Sequence, residues 1–159
     1  MSKKLIFILV LLFPFLGKSQ QAVSIIPQPV SLSVHDGHFI IDKNTSIIFN
    51  TKENDLRLAA NFFNAFIKNV SGESLSQNVK KQKSIVLEIR KTEKIGDEGY
   101  LLNVSPTSIK IMANTKGGIV YGMQSLFQTR PQRRTNAALE VQCMEITDYR
   151  RFKWRGMHW

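Results

Sequence analysis

The segment 54–72 constrains the fold more than any other part of the chain. Leu56, Ala59, Ala60, Phe63, Ile67 and Val70 recur at helical spacing, and Phe62 and Phe66 widen the stripe. Asn54 or Asp55 is placed to cap such a helix, and Gly72 to end it. A helix with so broad an apolar face must bury it, and the flanking sequence offers strands rather than further long helices. Upstream, Val30, Leu32 and Val34 alternate with Ser31 and Ser33. His35-Asp36-Gly37 reads as a turn, and residues 39–41 and 46–49 as short strands around Asp42-Lys43-Asn44. Downstream, residues 74–83 form a polar loop and 85–89 a strong strand. Residues 99–104 and 108–112 flank Ser105-Pro106-Thr107 as a hairpin. A second helix opens at Gly117-Gly118 and carries Ile119, Met123, Leu126 and Phe127 on one face; Pro131 ends it, and residues 141–146 form a last strand. This order predicts an α+β fold: a mostly antiparallel sheet with two helices packed on it.

The first residues stand apart. Ser2-Lys3-Lys4 precedes the apolar run LIFILVLLFPFL, and Gly17-Lys18-Ser19 supplies small residues before Gln20. This is the pattern of a signal peptide over residues 1–19, with cleavage after Ser19. The run is too short to cross a bilayer, which takes about 20 residues, and it contains Pro14. The expectation is export to the periplasm or the extracellular space, with no membrane span. The formal charge is +10, and losing Lys3, Lys4 and Lys18 leaves the chain basic. Basic surfaces attract nucleic acid or acidic polymers. Here the clusters Lys80-Lys81-Gln82-Lys83 and residues 130–134 lie in loop-like segments, so solvated loops or contacts to a further domain are expected, with no nucleic acid. Cys143 is the sole cysteine; it has no disulfide partner in the chain and reads as a buried apolar thiol.

Residues fit for chemistry are scarce. His35 and His38 flank Asp36, but a metal needs three or four converging ligands, and the sequence supplies no others nearby. Solvated histidines are expected, with no metal and no cofactor. Asp97 and Glu98 are adjacent carboxylates. An acid/base pair must face one bond from two sides, about 5 Å or more apart, and neighbours on a strand point to opposite faces. Loop positions suit them better. No Ser/His/Asp set, phosphate-binding glycine loop or nucleophile elbow is present, so no catalytic residue is assigned.

Four segments, in order, resemble glycoside hydrolase family 20, the β-N-acetylhexosaminidases. Ile26-Pro27-Gln28-Pro29, followed by a strand and Gly37, is similar to the family's opening. Gly96-Asp97-Glu98-Gly99-Tyr100-Leu101-Leu102-Asn103-Val104 resembles its GxEGYxLxV strand. Residues 118–126, GIVYGMQSL, resemble its GxxYGxQTL helix. Residues 145–156, EITDYRRFKWRG, resemble the I-D-x-P-R-F-x-x-R-G crossing into a catalytic barrel. The resemblance implies a signal peptide at 1–19, an N-terminal α+β domain at 20–147, and at 148–159 the first segment of a (β/α)₈ barrel that the chain enters but does not complete. It implies an exported enzyme that removes terminal N-acetylglucosamine or N-acetylgalactosamine from glycans, with the substrate's acetamide as nucleophile, a recognised exception to the two-carboxylate scheme. The acid and its neighbouring aspartate belong to a later barrel strand, so this chain alone is expected to be inactive. The partners implied are the glycan and the missing barrel domain. One site residue carries over: Arg155, which would hold hydroxyls of the terminal sugar in the full-length enzyme. Trp154 and Trp159 fit packing better than sugar platforms. Two positions depart from the family pattern, Arg150 where proline is usual and Gln142 where proline often precedes the Cys143 position; both are expected to loosen the crossing. The alternatives are a stand-alone secreted module that binds carbohydrate or a protein partner, and a secreted polyanion binder.

Overall fold

The structure, a computed structural model, describes residues 23–50, 52–129 and 139–151. A seven-stranded sheet is built from β1 (Ser31–Ile41), β2 (Thr45–Phe49), β3 (Ser76–Gln77), β4 (Lys83–Ile89), β5 (Tyr100–Val104), β6 (Ser108–Ala113) and β7 (Leu139–Asp148), in the order β1-β7-β5-β6-β4-β2-β3. Helices α1 (Asn54–Ser71) and α2 (Lys116–Gln128) pack on one face. The two-layer α+β architecture agrees with the sequence. The strand directions do not. The pairings β1·β7, β7·β5 and β5·β6 are antiparallel, but β6·β4, β4·β2 and β2·β3 are parallel. The sheet is therefore mixed rather than mostly antiparallel. The reason is topological: α1 lies between β2 and β4, and a helical crossover returns the chain to the end where it began.

The helix stripe packs largely as its spacing implies. Leu56, Ala59, Ala60, Phe63 and Ile67 are buried, and Gly72 closes α1 in the left-handed region at φ 77°. Phe66 packs against the core and stacks on Phe127 at 3.6 Å between ring centroids, whereas Phe62 is 57% exposed and lies outside the stripe. Neither Asn54 nor Asp55 caps α1. Both lie in its first turn, behind an N-cap Glu53 that makes no side-chain capping bond; Asp55 still opposes the positive end of the helix dipole.

The helix-facing side of the sheet is apolar throughout: Ile47, Phe49, Ile85, Leu87, Leu102, Val104, Ile109 and Ile111 are buried. The other side mixes half-buried apolar residues, Val86, Leu101 and Met112 among them, with polar pairs. Lys110 pairs with Glu88 at 2.6 Å, and Asn103 donates to Glu145 at 2.8 Å. Two further differences from the sequence reading are local. Residues 35–37 are not a turn between strands; they form an irregularity inside one long β1, where the register with β7 shifts between Val34 and His38. The polar loop 74–83 contains β3, which pairs with β2, and just before it the Asn64 amide imitates a strand partner for Leu75: it accepts from Leu75 N at 2.8 Å and donates to Leu75 O at 3.0 Å.

Two glycines of α2 let it sit directly on the sheet. A Cβ at Gly118 would collide with the carbonyl oxygen of Gly99 and stand 2.7 Å from Ala113 Cβ. One at Gly122 would meet Ile111 at 2.6 Å and the Tyr100 ring at 3.2 Å. Thr115 caps this helix, its hydroxyl accepting from Gly118 N.

Candidate functional site

Four segments converge where β7 ends: the leading residues 25–30, the loop before β5, the outer side of α2, and the exit 148–151. They enclose a cleft of about 180 Å³ whose lining includes Glu98, Tyr100, Tyr121, Gln124, Asp148 and Arg150. The sequence marked Glu98 as a loop carboxylate, and the structure places it there, facing Arg150 in a two-pronged ion pair. Arg150 Nε donates to Oε2 at 2.9 Å and a terminal nitrogen donates to Oε1. This is the geometry that suits a planar guanidinium and a carboxylate. Asp148 Oδ1 accepts from Val30 N at 3.2 Å. Gln128 Oε1 accepts from Ile26 N at 2.9 Å, and Arg151 donates to Pro29 O at 3.0 Å. Deeper in, the hydroxyls of Tyr100 and Ser125 share a buried hydrogen bond of 2.6 Å, and burial pushes the Tyr100 phenol above its ordinary pKa.

Glu98 thus engages Arg150 and Tyr100 engages Ser125, while Asp148 and Gln128 hold backbone amides of the leading segment. Both Glu98 oxygens face one guanidinium, so the carboxylate is not poised to give or take a substrate proton. What the arrangement does is mechanical: it ties the leading segment and the loop before β5 to residues 148–151. Sequence reading marked Glu98 through its motif and Arg150 through a departure from one. Their pairing spans 52 residues and has no local signature.

The other marked residues fall elsewhere. His35 and His38 are exposed on β1, and among the described residues no group of three or more His, Cys, Asp or Glu side chains is placed to hold a metal. Cys143 is buried, and desolvation raises its thiol pKa. The lysine cluster is less free than a solvated loop: Lys83 pairs with Asp42 at 2.8 Å, and Lys81 donates to Lys43 O. Among the described residues no helix is long and apolar enough to cross a membrane. Arg155, Trp154, Trp159, the leader 1–19 and the arginines at 130–134 lie outside the described residues.

A mixed sheet thus carries two helices on one face, with the leading and departing segments joined where β7 ends. The family model for glycosyl hydrolase family 20, domain 2, matches residues 22–149, and the chain belongs to that family. It is 26% identical over 144 residues to a beta-hexosaminidase of Porphyromonas gingivalis, covering 86% of this chain and 18% of that protein. It is 28% identical over 143 residues to a beta-hexosaminidase of Vibrio vulnificus, covering 90% of this chain and 16% of that protein. The fold is that of a GH20 beta-N-acetylhexosaminidase from Streptomyces coelicolor A3(2), with a TM-score of 0.72 at 23% identity over 80% of this chain and 26% of that one. It is also that of a GH20 exo beta-N-acetylglucosaminidase from Vibrio harveyi, with a TM-score of 0.67 at 23% identity over 82% of this chain and 20% of that one. The chain thus spans less than a third of the length of each of these relatives.

Proposed function

We propose that the chain serves as the N-terminal unit of an exported β-N-acetylhexosaminidase that removes terminal N-acetylglucosamine or N-acetylgalactosamine from glycans. The observation that carries this reading is the match to the family's domain 2 over residues 22–149, which extends through every described element of the fold. In this reading hydrolysis belongs to a catalytic barrel, where the substrate's acetamide attacks its own anomeric carbon. This unit holds the chain that leads there. The Glu98–Arg150 and Arg151–Pro29 contacts anchor the residues immediately before the segment bearing Arg155, whose rigid fork of donors suits two sugar hydroxyls at once. The leader at 1–19 supports delivery to the periplasm or beyond.

The expected outcome is that the purified 159-residue chain, free of host hexosaminidase, does not hydrolyse an aryl N-acetyl-β-glucosaminide. Loss of acid catalysis alone costs about 10² to 10⁴-fold, and a substrate pocket would be missing as well. Turnover by this sample would overturn the assignment of catalysis to another unit. Reading the genomic frame beyond codon 159 separates the main proposal from a stand-alone binding module: barrel-coding sequence there supports the first, and unrelated sequence the second.

A further inference from the structure

Two segments far apart in sequence meet at one end of the sheet. Residues 42–44 link β1 to β2, and residues 78–83 lead from β3 into β4. Lys83 N donates to Asn44 O at 3.2 Å, Lys83 Nζ to Ile40 O at 3.0 Å, and Lys81 Nζ to Lys43 O. These nine residues hold four lysines, Lys43, Lys80, Lys81 and Lys83, against one carboxylate, Asp42. Among the described residues, Lys83 alone of the four pairs with a carboxylate, and it takes Asp42, at 2.8 Å. Lys43 and Lys80 are exposed. The loop that carries three of the lysines is held in place. Asn78 adopts the left-handed conformation at φ 53°, uncommon outside glycine. Its N–H donates to Ile47 O at 2.8 Å, and its side chain accepts from Phe49 N at 2.9 Å. A fixed backbone thus gathers like charges that a mobile loop would let drift apart. A positive site formed in advance binds an anion with little ordering cost.

We propose that this end of the sheet binds an acidic polysaccharide, a linear glycan in which N-acetylhexosamine alternates with a carboxylate-bearing sugar. The choice of a glycan rests on the enzymatic reading above, and the need for negative charge rests on the lysines. Asn44 and Gln82, both exposed beside them, supply amide donors and acceptors for sugar hydroxyls. Shape favours one polymer strand over a membrane. The lysines lie on two adjoining turns, and the open face of the sheet bears Glu88 and Glu145, which oppose a broad anionic surface. By register, the start of β4 lies at the opposite end of the sheet from the point where β7 leaves. A strand of seven residues separates the two ends by about 20 Å. The site is therefore a hold on the polymer separate from any sugar-cleaving pocket.

The test is a fluorescence-anisotropy titration of end-labelled hyaluronan fragments, in which N-acetylglucosamine alternates with glucuronate, with the full chain expressed with its leader so that the host processes it. Binding at low salt that weakens as salt rises is expected, with no binding of neutral chitin fragments. Lys43→Glu combined with Lys80→Glu should weaken binding at least tenfold without moving the melting temperature. Lys91→Glu combined with Lys94→Glu makes the same change in net charge beyond the other end of β4, and should stay within about threefold of the parent. Absence of hyaluronan binding overturns the proposal. So does an equal loss from the two double variants, which would leave attraction by net charge alone. Tighter binding to vesicles of anionic phospholipid than to hyaluronan overturns it as well and gives the surface to a membrane. If the Lys43/Lys80 glutamate variant fails to fold, Lys43→Gln combined with Lys80→Gln decides. Binding does not depend on hydrolysis, so the two readings fail separately. Barrel-coding sequence beyond codon 159 with no hyaluronan bound sinks this inference alone, and hyaluronan bound without that sequence sinks the enzymatic reading alone.

Discussion

The close seat of α2 on the sheet can be tested at two neighbouring glycines whose substitution should act in opposite directions. A methyl group at Gly118 would strike the carbonyl oxygen of Gly99 and stand 2.7 Å from Ala113 Cβ. The first is backbone, fixed where β5 begins, and cannot rotate away. Relief requires α2 to lift, and lifting it stretches the 2.6 Å Tyr100–Ser125 bond. Forcing extra volume into a packed core costs about 1–3 kcal/mol, and contact with backbone belongs at the upper end. Replacing glycine within a helix returns at most about 1 kcal/mol. The net for Gly118→Ala is a loss of about 2 kcal/mol. At Gly117 the same methyl group meets only Thr115 Oγ1, at 3.5 Å, an ordinary contact. Gly117→Ala should therefore stabilise, by up to about 1 kcal/mol. For a domain of this size 1 kcal/mol moves the melting temperature by roughly 4 °C. Circular dichroism melts should then show Gly118→Ala about 8 °C below the parent, with Gly117→Ala at or slightly above it. Equal effects at the two positions, or a neutral Gly118→Ala, would refute the claim that α2 is held against the start of β5 by the absence of a side chain.

Three further outcomes follow from the packing and the titrating groups. Phe63→Ala, which empties a fully buried site against Phe127 at 5.3 Å, should cost about 3–5 kcal/mol in urea unfolding, while Phe62→Ala should stay within about 0.5 kcal/mol. The hydrogen bond from Lys83 holds the Asp42 carboxyl below its ordinary pKa, so its stabilising contribution is complete above the unfolded value of about 3.9 and is lost as pH falls through the folded one. Asp42→Asn should thus melt below the parent at neutral pH, with the gap closing at strongly acidic pH; a gap constant with pH would remove the ion pair from the explanation. The Cys143 thiol, buried and with its pKa raised by desolvation, should resist a thiol-specific reagent at mildly alkaline pH and react promptly once denaturant unfolds the chain.

Periodicity exposed those parts of the fold in which one face of one element decides the outcome. The α1 stripe, the hairpin between β5 and β6 and the apolar face of α2 are of this kind. Strand direction was not legible, because a helix that crosses over and a helix that merely follows a strand have the same local pattern; only pairing across the sheet separates β4 beside β2 from a meander. Residues 35–37 carry every local mark of a turn, yet β7 is ten residues long and pairs with β1 on both sides of them. Phe62 was misplaced because a stripe widened by one residue rotates past the sheet and faces outward. The site was legible at its marked positions and illegible as an arrangement. Glu98 and Arg150 were both singled out, but not as partners, since no period connects residues brought together by β5 and β7 lying side by side.

The two departures from the family pattern acquire physical roles from that arrangement. Proline at 142 would have no side-chain donor and no backbone N–H. Gln142 has both. Its backbone sits opposite His38 in the β1·β7 ladder, and its side-chain amide donates to the carbonyls of His35 and Gly37. Those carbonyls flank the point where the register shifts, and irregular strand segments leave backbone groups in need of partners. The glutamine therefore completes the irregularity that lets β1 run on as one strand. At 150 a proline would stiffen the exit through its fixed φ. Arg150 constrains the same step through its side chain, by pairing with Glu98 from the loop before β5. The two solutions differ in kind. A proline fixes a local dihedral whatever lies nearby, while an ion pair fixes the exit only relative to the loop that holds its partner. The hold on residue 150 thus depends on a contact between distant segments, and it is sensitive to salt and to any change at Glu98 in a way that a proline would not be.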